Sequence, residues 1–390
     1  MKYDFDAVID RRGTSSVKWD YLDRVFKNTE VIPMWVADMD FTAPQPVIDA
    51  VVKRAQHGVY GYTEKPSSFY HSVAEWLKKR HGWNINSRWI TVCPGVVPTL
   101  NFCILALTEP GDRVLLQSPV YPPFFASIKN NGRILVDNPL KLQGDKYVID
   151  YTDLEAKLKD GIKLMLLCSP HNPVGRVWSR EELLKIGELC IKYDVTIVSD
   201  EIHSDLIFGN YRHTPLASLS EELAERTITC IAPSKTFNIA GFGTSMTIAS
   251  NVSLKKKLDN YLNSLGIEMT NLFGITALEA AYNHGEEWLE QVLAYLEGNL
   301  DFLVGYIDLH LPQIKISRPE GTYLVWLDCR GLGLKQKELV DFFINRARVG
   351  LNDGTPFGPG EEGFMRMNIA CPRSVLTEAL TRIEKAVKTL

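Results

Sequence analysis

The stretches VTIVSDEIH (residues 195–203) and ITCIAPSKTFN (residues 228–238) decide the fold of this 390-residue chain. Each begins as an apolar, β-branched run of the kind that forms a buried strand, and each ends in polar residues. Asp200 follows the first run and Lys235 follows the second. Similar runs alternate with longer amphipathic segments from about residue 90 to residue 250. This alternation predicts stacked βα units and a mostly parallel sheet.

The strand candidates share an apolar or β-branched composition, and they lie at residues 89–93, 113–117, 163–168, 195–199, 228–231 and 245–249. Residues 181–193 have helical periodicity, and Ser179 with Glu182 is predicted to form a capping box at the start of that helix. Farther along, residues 286–310 are predicted to be a long helix, residues 321–327 a strand and residues 376–389 a closing helix. The first 45 residues are predicted to be irregular.

The length of the chain predicts two domains, because a single hydrophobic core seldom grows to this size. The predicted fold class is α/β, with a mostly parallel central sheet in a large domain and a smaller α+β domain. We expect residues 1–48 to be an N-terminal segment that packs with the small domain. Residues 49–285 are predicted to form the large domain and residues 286–390 the small C-terminal domain.

Composition excludes several classes of partner. The formal net charge is −4 and no basic stripe is present, which argues against nucleic acid. The seven cysteines have neither a CxxC pair nor a zinc-like spacing, so we expect reduced thiols and no metal site. No apolar run approaches the ~18 residues that a membrane span needs. The first six residues lack the apolar region of a signal peptide, and a cytoplasmic protein is therefore expected.

An amine and a carboxylate on two strand ends suit one cofactor, pyridoxal 5′-phosphate (PLP). The Lys235 amine would form a Schiff base with the PLP aldehyde, and Asp200 would keep the pyridine nitrogen protonated so that the ring accepts electrons. Taken alone, Lys235 is more simply explained as an exposed turn lysine. The other strand ends favour the cofactor, because ligands bind outside the carboxyl ends of strands in an open parallel sheet.

Two further strand ends carry groups that could hold such a cofactor. Gly95 precedes Val96 and Val97 at the start of a predicted helix, where free N–H groups and the helix dipole can bind a phosphate. Tyr121 lies on a proline-rich turn, where its ring could stack on a planar cofactor. A plain helix cap and a core tyrosine are the structural alternatives.

Three polar residues complete the pattern. Asn172 lies between two prolines and could donate to the phenolate oxygen of the ring, although Asn-Pro turns without chemistry are common. His203 lacks companion ligands at a metal-like spacing, which favours a role near the ring oxygen or Asp200. Arg366 lies inside an apolar strand, and its guanidinium suits bidentate capture of a substrate carboxylate. A structural ion pair is the alternative for Arg366.

Together these motifs resemble fold-type I PLP enzymes of the aspartate aminotransferase superfamily, and more narrowly the MalY/PatB class of cystathionine β-lyases, which are cysteine C–S lyases. The resemblance runs nearly end to end. It is carried by FDAVIDRRGTSSVKW (5–19), MWVADMDF (34–41), GVVPTLN (95–101), SPVYPPF (118–124), CSPHNPVGRVW (168–178), SDEIHSDL (199–206), APSKTFNIAG (232–241), EGTYLVWLD (320–328) and RMNIACPR (366–373).

The resemblance implies the PLP-dependent transferase-like fold, in which residues 49–285 bind PLP, and a homodimer with shared active sites. It assigns catalytic roles to Lys235, Tyr121 and Asp200. It assigns substrate binding to Arg366, Ala37 and Tyr62. The implied cofactor-binding residues are Gly95, Val96, Val97, Tyr121, Asn172, Asp200, His203, Ser234 and Lys235, with Tyr60 reaching the phosphate from the neighbouring subunit.

The sequence also departs from the aminotransferase branch. His203 stands where those enzymes usually carry a tyrosine, and Ala232 and Gly243 replace a phosphate-binding serine and arginine. These differences agree with a β-lyase that releases a thiol, pyruvate and ammonia from L-cystathionine, L-cysteine or a related S-substituted cysteine. An aminotransferase remains an alternative. So does a lyase with an additional role in binding a regulatory protein.

Overall fold

The computed structural model describes residues 1–267 and 271–390. Its strands are β1 Ile32–Pro33, β2 Ile90–Cys93, β3 Arg113–Leu116, β4 Ile134–Asp137, β5 Lys141–Gln143, β6 Lys146–Val148, β7 Ile162–Cys168, β8 Thr196–Asp200, β9 Thr227–Ile231, β10 Ser245–Ile248, β11 Lys315–Ile316, β12 Leu324–Asp328, β13 Val349–Gly350, β14 Asn352–Asp353 and β15 Phe364–Asn368.

The α-helices are α1 Val17–Asp20, α2 Leu22–Phe26, α3 Gln45–Gln56, α4 Ser67–His81, α5 Val96–Leu107, α6 Pro123–Lys129, α7 Tyr151–Lys159, α8 Arg180–Lys192, α9 Glu221–Ala224, α10 Pro233–Thr236, α11 Val252–Ser264, α12 Leu272–His284, α13 Glu286–His310, α14 Gln336–Asp341 and α15 Arg373–Val387. A π-helical turn, Phe342–Arg346, follows α14. Single 3₁₀ turns lie at Ser87–Trp89, Leu216–Ser218, Ala240–Phe242, Arg330–Leu332 and Thr355–Phe357.

The central sheet has seven strands in the order β2-β10-β9-β8-β7-β3-β4. The pairs β9–β8, β8–β7, β7–β3 and β3–β4 are parallel, whereas β10 runs antiparallel to both β9 and β2. The predicted mostly parallel sheet is therefore confirmed, and the predicted strands are found within one residue of their expected bounds. The sequence reading missed β4, which is short and lies at the sheet edge.

Helices cover both faces of this sheet. Along β7, Leu164 and Leu166 pack into a cluster that includes the apolar sides of α5, α6 and α11. The alternate residues Met165 and Leu167 pack into a second cluster with α7 and α8. Burial on both faces explains why this strand reads as one continuous apolar run. The predicted helix at residues 181–193 is α8, and Ser179 and Glu182 form its capping box.

The C-terminal part of the chain forms a second, antiparallel sheet in the order β11-β12-β15-β14. The long helix α13 and the last helix α15 pack with this sheet in one hydrophobic cluster, which also takes in α4 and α12. The predicted strand at residues 321–327 is β12 at Leu324–Asp328, so it begins later than expected. Gly321 instead forms an isolated bridge with Ile207.

The N-terminal segment is less irregular than predicted. It contains the short helices α1 and α2, and β1 pairs in parallel with β13 in the C-terminal part of the chain. The predicted three-part domain division stays a prediction. Within the described residues, no helix has both the length and the apolar character that crossing a bilayer requires.

The packing of α12 against the loop before β10 predicts a strong effect at Gly274. A Cβ at this position would lie 1.9 Å from Thr244 Oγ1 and 3.0 Å from the Phe242 carbonyl oxygen, so in Gly274→Ala either the Thr244 side chain or the backbone must move. We expect a loss of about 1–3 kcal/mol in the free energy of unfolding, measured by urea denaturation. The control is Gly305→Ala in α13, where a Cβ meets nothing within 4 Å. Since alanine is the better helix former, that variant should be neutral or more stable. Equal stability of the two variants would contradict the packing argument.

Candidate active site

The carboxyl ends of β7, β8 and β9 lie level with one another. Cys168 is paired with Asp200, and Asp200 with Cys230, across the three neighbouring strands. The residues that follow these ends therefore lie at one edge of the sheet, as expected for an open parallel sheet.

A cavity of about 220 Å³ lies at this edge. Its lining brings together most of the predicted site residues, namely Ala37, Gly95, Val96, Val97, Tyr121, Asn172, Asp200, His203, Ser234 and Lys235. Arg366 is outside the lining but is hydrogen-bonded to Asn172. Tyr60 and Tyr62 are also outside it, and their side chains are exposed on the surface of the single chain.

Lys235 lies in α10, the short helix that begins two residues after β9 ends. Its Nζ donates to the carbonyl oxygen of Ala37 at 2.7 Å. Burial lowers the pKa of Lys235 to about 8, an effect that the negative charge of Asp38 opposes. The amine therefore loses its proton far more readily than an ordinary lysine and is about half neutral near pH 8, as a Schiff-base lysine or a general base requires.

Asp200 is the last residue of β8, and burial raises the pKa of its carboxyl to about 7. One carboxylate oxygen accepts a hydrogen bond from the backbone N–H of Ile202 at 3.1 Å. A buried carboxyl with so little support favours a cationic partner, and a protonated pyridine nitrogen is such a partner. Lys235 and Asp200 therefore fit the two ends of a PLP ring.

Asn172 and His203 line the same cavity as Lys235 and Asp200. The Oδ1 atom of Asn172 accepts from Arg366 Nη1 at 3.0 Å, which leaves its amide nitrogen as the donor that a ring oxygen requires. Burial, together with the positive charges of Lys235 and Arg366, lowers the pKa of His203 to about 3, so its imidazole is neutral. Its Nδ1 is buried without a hydrogen-bond partner. Within residues 1–267 and 271–390, no cluster of three or more His, Cys, Asp or Glu side chains is arranged to hold a metal ion.

The phosphate end of the cavity is built from backbone. Gly95 precedes α5 with φ 151° and ψ 157°, a conformation that is essentially restricted to glycine. The first N–H groups of α5, including those of Val96 and Val97, have no intrahelical acceptors and can bind an anion. Among the described residues that line the cavity, Lys235 is the only lysine or arginine. The phosphate would thus rely on N–H groups and on the hydroxyls of Ser234 and Thr244.

Arg366, in β15, is buried and makes no ion pair within the described chain. Its acceptors are the neutral oxygens of Asn172, Trp35 and Asn352, at 3.0, 3.0 and 2.7 Å. Its Nε has no partner, and burial lowers its pKa to about 10. A buried guanidinium held only by neutral oxygens is ready to bind a carboxylate. A structural ion pair, the alternative explanation of Arg366, is not found among the residues that the structure describes.

Sequence reasoning missed several residues that hold this site together. Asn352 accepts from Arg366, and the hydroxyl of Tyr323 donates to the Ala37 carbonyl at 2.9 Å. Asn368 donates to two further backbone oxygens near Ala37. Tyr323 and Asn368 lie inside matching strings that drew attention as motifs, but nothing in the sequence indicated what their side chains contact.

A larger cavity of about 670 Å³ lies elsewhere and contains none of the predicted site residues. Its lining is mostly charged and polar, and it includes His81, Asp205 and His213. Asp205 accepts hydrogen bonds from Thr236, the neighbour of Lys235, and from Trp76. We place the chemistry in the smaller cavity, because the converging lysine, aspartate and asparagine lie there.

Asp200→Asn is expected to stabilise the cofactor-free protein at neutral pH. The folded-state pKa of about 7 exceeds the ordinary aspartate pKa of about 4, so the wild type loses stability as the pH rises from about 4 to about 7. Asparagine does not titrate and avoids this loss. In urea unfolding at pH 5 and pH 8, the advantage of the variant should be larger at pH 8.

The control for this experiment is Asp194→Asn, an exposed carboxyl whose pKa is lowered by its hydrogen bond to Arg226. It should show no such gain in stability at pH 8. An advantage of Asp200→Asn that is the same at both pH values would contradict the raised pKa.

The chain is similar to known proteins over nearly its whole length. The family model "Aminotransferase class I and II" matches residues 29–383. "Cystathionine beta-lyase PatB" of Bacillus subtilis is 45% identical over 384 residues, covering 98% of this chain and 99% of the relative. A PLP-bound putative aminotransferase from Clostridium difficile has a TM-score of 0.97 at 45% identity and covers 99% of this chain and 100% of its own.

A third relative is the PLP-bound C–S lyase from Staphylococcus hominis, with a TM-score of 0.93 at 34% identity. It covers 99% of this chain and 98% of its own. These matches span both sheets and every strand end that contributes to the cavity, so the predicted fold and family resemblance are confirmed. The chain belongs to the class I and II aminotransferase family.

Proposed function

We propose that this protein is a PLP-dependent carbon–sulfur β-lyase. It converts L-cystathionine, L-cysteine or a related S-substituted cysteine to a thiol, pyruvate and ammonia. The observation that carries the proposal is the clustering of three buried ionisable groups that lack matched partners. Lys235 and Asp200 line one cavity, and Arg366 is hydrogen-bonded to Asn172 in the same lining. The names of the relatives from B. subtilis and S. hominis support the same reaction class.

PLP, when bound, supplies an aldehyde that condenses with amines and a ring that accepts electrons from Cα. The chain supplies the groups that hold the ring. Lys235 would hold the aldehyde end, Asp200 would face the pyridine nitrogen, and the amide of Asn172 would donate to the ring oxygen. Tyr121 provides an aromatic surface, and burial raises the pKa of its hydroxyl, which therefore stays protonated.

Arg366 orients the amino-acid substrate. Its guanidinium would take the α-carboxylate, the charged acceptor that it lacks within the described chain. Asn172 accepts a hydrogen bond from the same guanidinium. The position of the substrate carboxylate and the position of the cofactor ring are therefore linked through the Asn172 side chain. This linkage fixes the direction of the Cα–H bond, which determines which bond of the substrate is broken.

Lys235 moves the proton. Its lowered pKa makes a neutral amine available near pH 8, and a neutral amine can accept the Cα proton of the bound substrate. The Ala37 carbonyl, 2.7 Å from Nζ, holds the amine in a defined place while it does so. With a thiolate leaving group on Cβ, loss of the thiolate competes with return of the proton.

Aminotransferase activity is the second candidate, because one solved relative at 45% identity is called a putative aminotransferase. Both reactions begin with removal of the same Cα proton. The lyase is favoured because His203 and Gly243 occupy positions where aminotransferases usually carry tyrosine and arginine. Additional binding of a regulatory protein, a cytoplasmic location and the three-part domain division stay predictions.

The two candidates are separated by one assay. Purified enzyme with L-cystathionine and no keto acid should release thiol and pyruvate in equal amounts. Lys235→Ala should lose this activity by several orders of magnitude, because both the covalent attachment and the base are removed. It should also lose the absorption band of the lysine-linked cofactor. Turnover only after a keto acid is added, with a new amino acid formed, would overturn the lyase in favour of the aminotransferase.

We also propose that two copies of the chain share each active site. Tyr60 and Tyr62 are 58% and 95% exposed, and nearby Val59 is 64% exposed, so this segment presents apolar surface to solvent in the single chain. An exposed apolar stretch of this kind favours a protein interface. A second copy would cover it and bring Tyr60 to the phosphate end of the neighbouring cavity, where the described lining has few cations.

Shared sites predict complementation between two defective variants. Lys235→Ala removes the base, and Tyr60→Ala removes the residue donated by the partner, so each homodimer should be impaired. Co-expression should restore about a quarter of wild-type activity, because half of the dimers are mixed and each mixed dimer has one intact site. Light scattering should report a dimer throughout. A monomer with full activity, or no gain on co-expression, would contradict shared sites.

A further inference from the structure

The segment Trp35–Phe41, which we call the strap, has no helix or strand of its own, yet it crosses the active site. Its carbonyl oxygens are bonded by side chains instead of by a ladder. Lys235 and Tyr323 donate to Ala37, and Asn368 donates to Val36 and Asp38. Unpaired backbone groups at such a place would be costly, so these side chains fix the path of the strap.

The strap joins the two sheets of the molecule at the reacting groups. Arg366, from the C-terminal sheet, donates to the Trp35 carbonyl at 3.0 Å. Asn238, from the loop after Lys235, bonds both the N–H and the carbonyl of Met39 at 2.9 Å. The amine and the guanidinium that the proposed reaction needs are therefore held by neighbouring carbonyls of one segment.

The acidic side chains of the strap are engaged by the N-terminal segment. Lys18 is 1% exposed and its Nζ lies 2.6 Å from Asp40 Oδ2. Arg11 forms two hydrogen bonds with Asp38, at 2.9 and 2.7 Å, and a third with Asp40 at 2.7 Å. Trp19 Nε1 also donates to Asp40 at 2.9 Å. Two cations and two carboxylates balance in charge, and the cluster is largely excluded from water.

The proposed reaction does not use this cluster directly, and stability alone is a weak reason for a buried ion pair. A well-packed apolar pair in its place is often equally stable, whereas an ion pair has one defined geometry. An ion pair with one defined geometry is suited to fixing the positions of the Trp35 and Ala37 carbonyls of the strap relative to each other.

We propose that the Lys18–Asp40 ion pair is a positioning element for the proposed reaction: it locks the strap, and through the strap it aligns Arg366 and Lys235. The pair touches neither substrate nor cofactor. The inference rests on the proposed function for its kinetic consequence, but the rigidity of the strap can be measured without any turnover.

The test compares Lys18→Met, Asp40→Asn and the double variant, all in the cofactor-loaded protein. Each single variant leaves one buried charge with a weaker set of partners. The double variant leaves Arg11 with Asp38 and strands no charge, so it should fold. Hydrogen exchange of peptides covering residues 35–41 should be faster in all three, while exchange in β7 stays unchanged. With an S-substituted cysteine, kcat/KM should fall about 10- to 100-fold, with KM rising as the carboxylate site loses its alignment.

Two controls isolate positioning from stability. Arg348→Met removes an exposed ion pair with Glu30, which also links the N-terminal segment to the C-terminal part of the chain, away from the strap. It should leave strap exchange and kinetics at wild-type values. Leu158→Ala, a buried change in α7, should lower the thermal midpoint without a selective change in residues 35–41 or in KM.

Strap exchange and KM that both stay within about twofold of wild type in the double variant would overturn the inference. Faster strap exchange with unchanged kinetics would also overturn it, because the pair would then serve structure alone. If the wild type shows no lyase turnover, the proposed function fails. In that case two measurements on the cofactor-loaded protein still test the Lys18–Asp40 pair. They are the hydrogen exchange of residues 35–41 and the affinity for a substrate carboxylate.

Discussion

Buried ionisable groups without matched partners are the constraint around which this molecule is organised. Lys235, Asp200 and Arg366 lie beside one cavity, and burial shifts the pKa of each toward its neutral form. Such an arrangement costs stability in the cofactor-free chain. It persists because the surrounding sheet and loops hold the groups where a cationic ring nitrogen, an aldehyde and a carboxylate would complement them. Binding of such groups would therefore stabilise the site, as expected for a preorganised active site.

The level ends of three parallel strands make this arrangement achievable. Strands β7, β8 and β9 are buried on both faces, so their register is fixed by packing. Asp200 is the last residue of β8, and Asn172 and Lys235 follow the ends of β7 and β9 within a few residues. The cost is a low-polarity neighbourhood, and this is the source of the shifted pKa values.

The strap introduces a different kind of order. It is irregular backbone, yet its polar groups are satisfied by side chains from both sheets and by a buried ion-pair cluster. A helix in the same place would bond its carbonyls internally and a strand would bond them to a neighbouring strand, so Arg366 and Lys235 would lose their acceptors. Irregular structure held by many directed contacts suits a segment that must serve two sheets at once.

The amino-acid sequence by itself determined the sheet, its strand order of appearance, and the identity of the chemical groups. Local signals were sufficient there, since the apolar runs, the turn residues after them and the capping box at Ser179 each act over a few residues. It also indicated a buried Arg366, because an arginine inside an apolar strand needs a special reason. The short edge strand β4 was not predicted, and β12 begins later than predicted, because both depend more on pairing with a neighbouring strand than on composition.

Only the tertiary structure decided which groups meet. The contacts of Arg366 with Asn172 and Trp35 join positions separated by 194 and 331 residues. The Lys235–Ala37 bond spans 198 residues. No local pattern encodes such contacts, because each depends on where two independently formed elements are packed. The same reason explains why Lys18 and Arg11 drew no attention in the sequence: a lysine and an arginine near a chain terminus are ordinarily solvated, and burial against Asp38 and Asp40 becomes visible only in the folded chain.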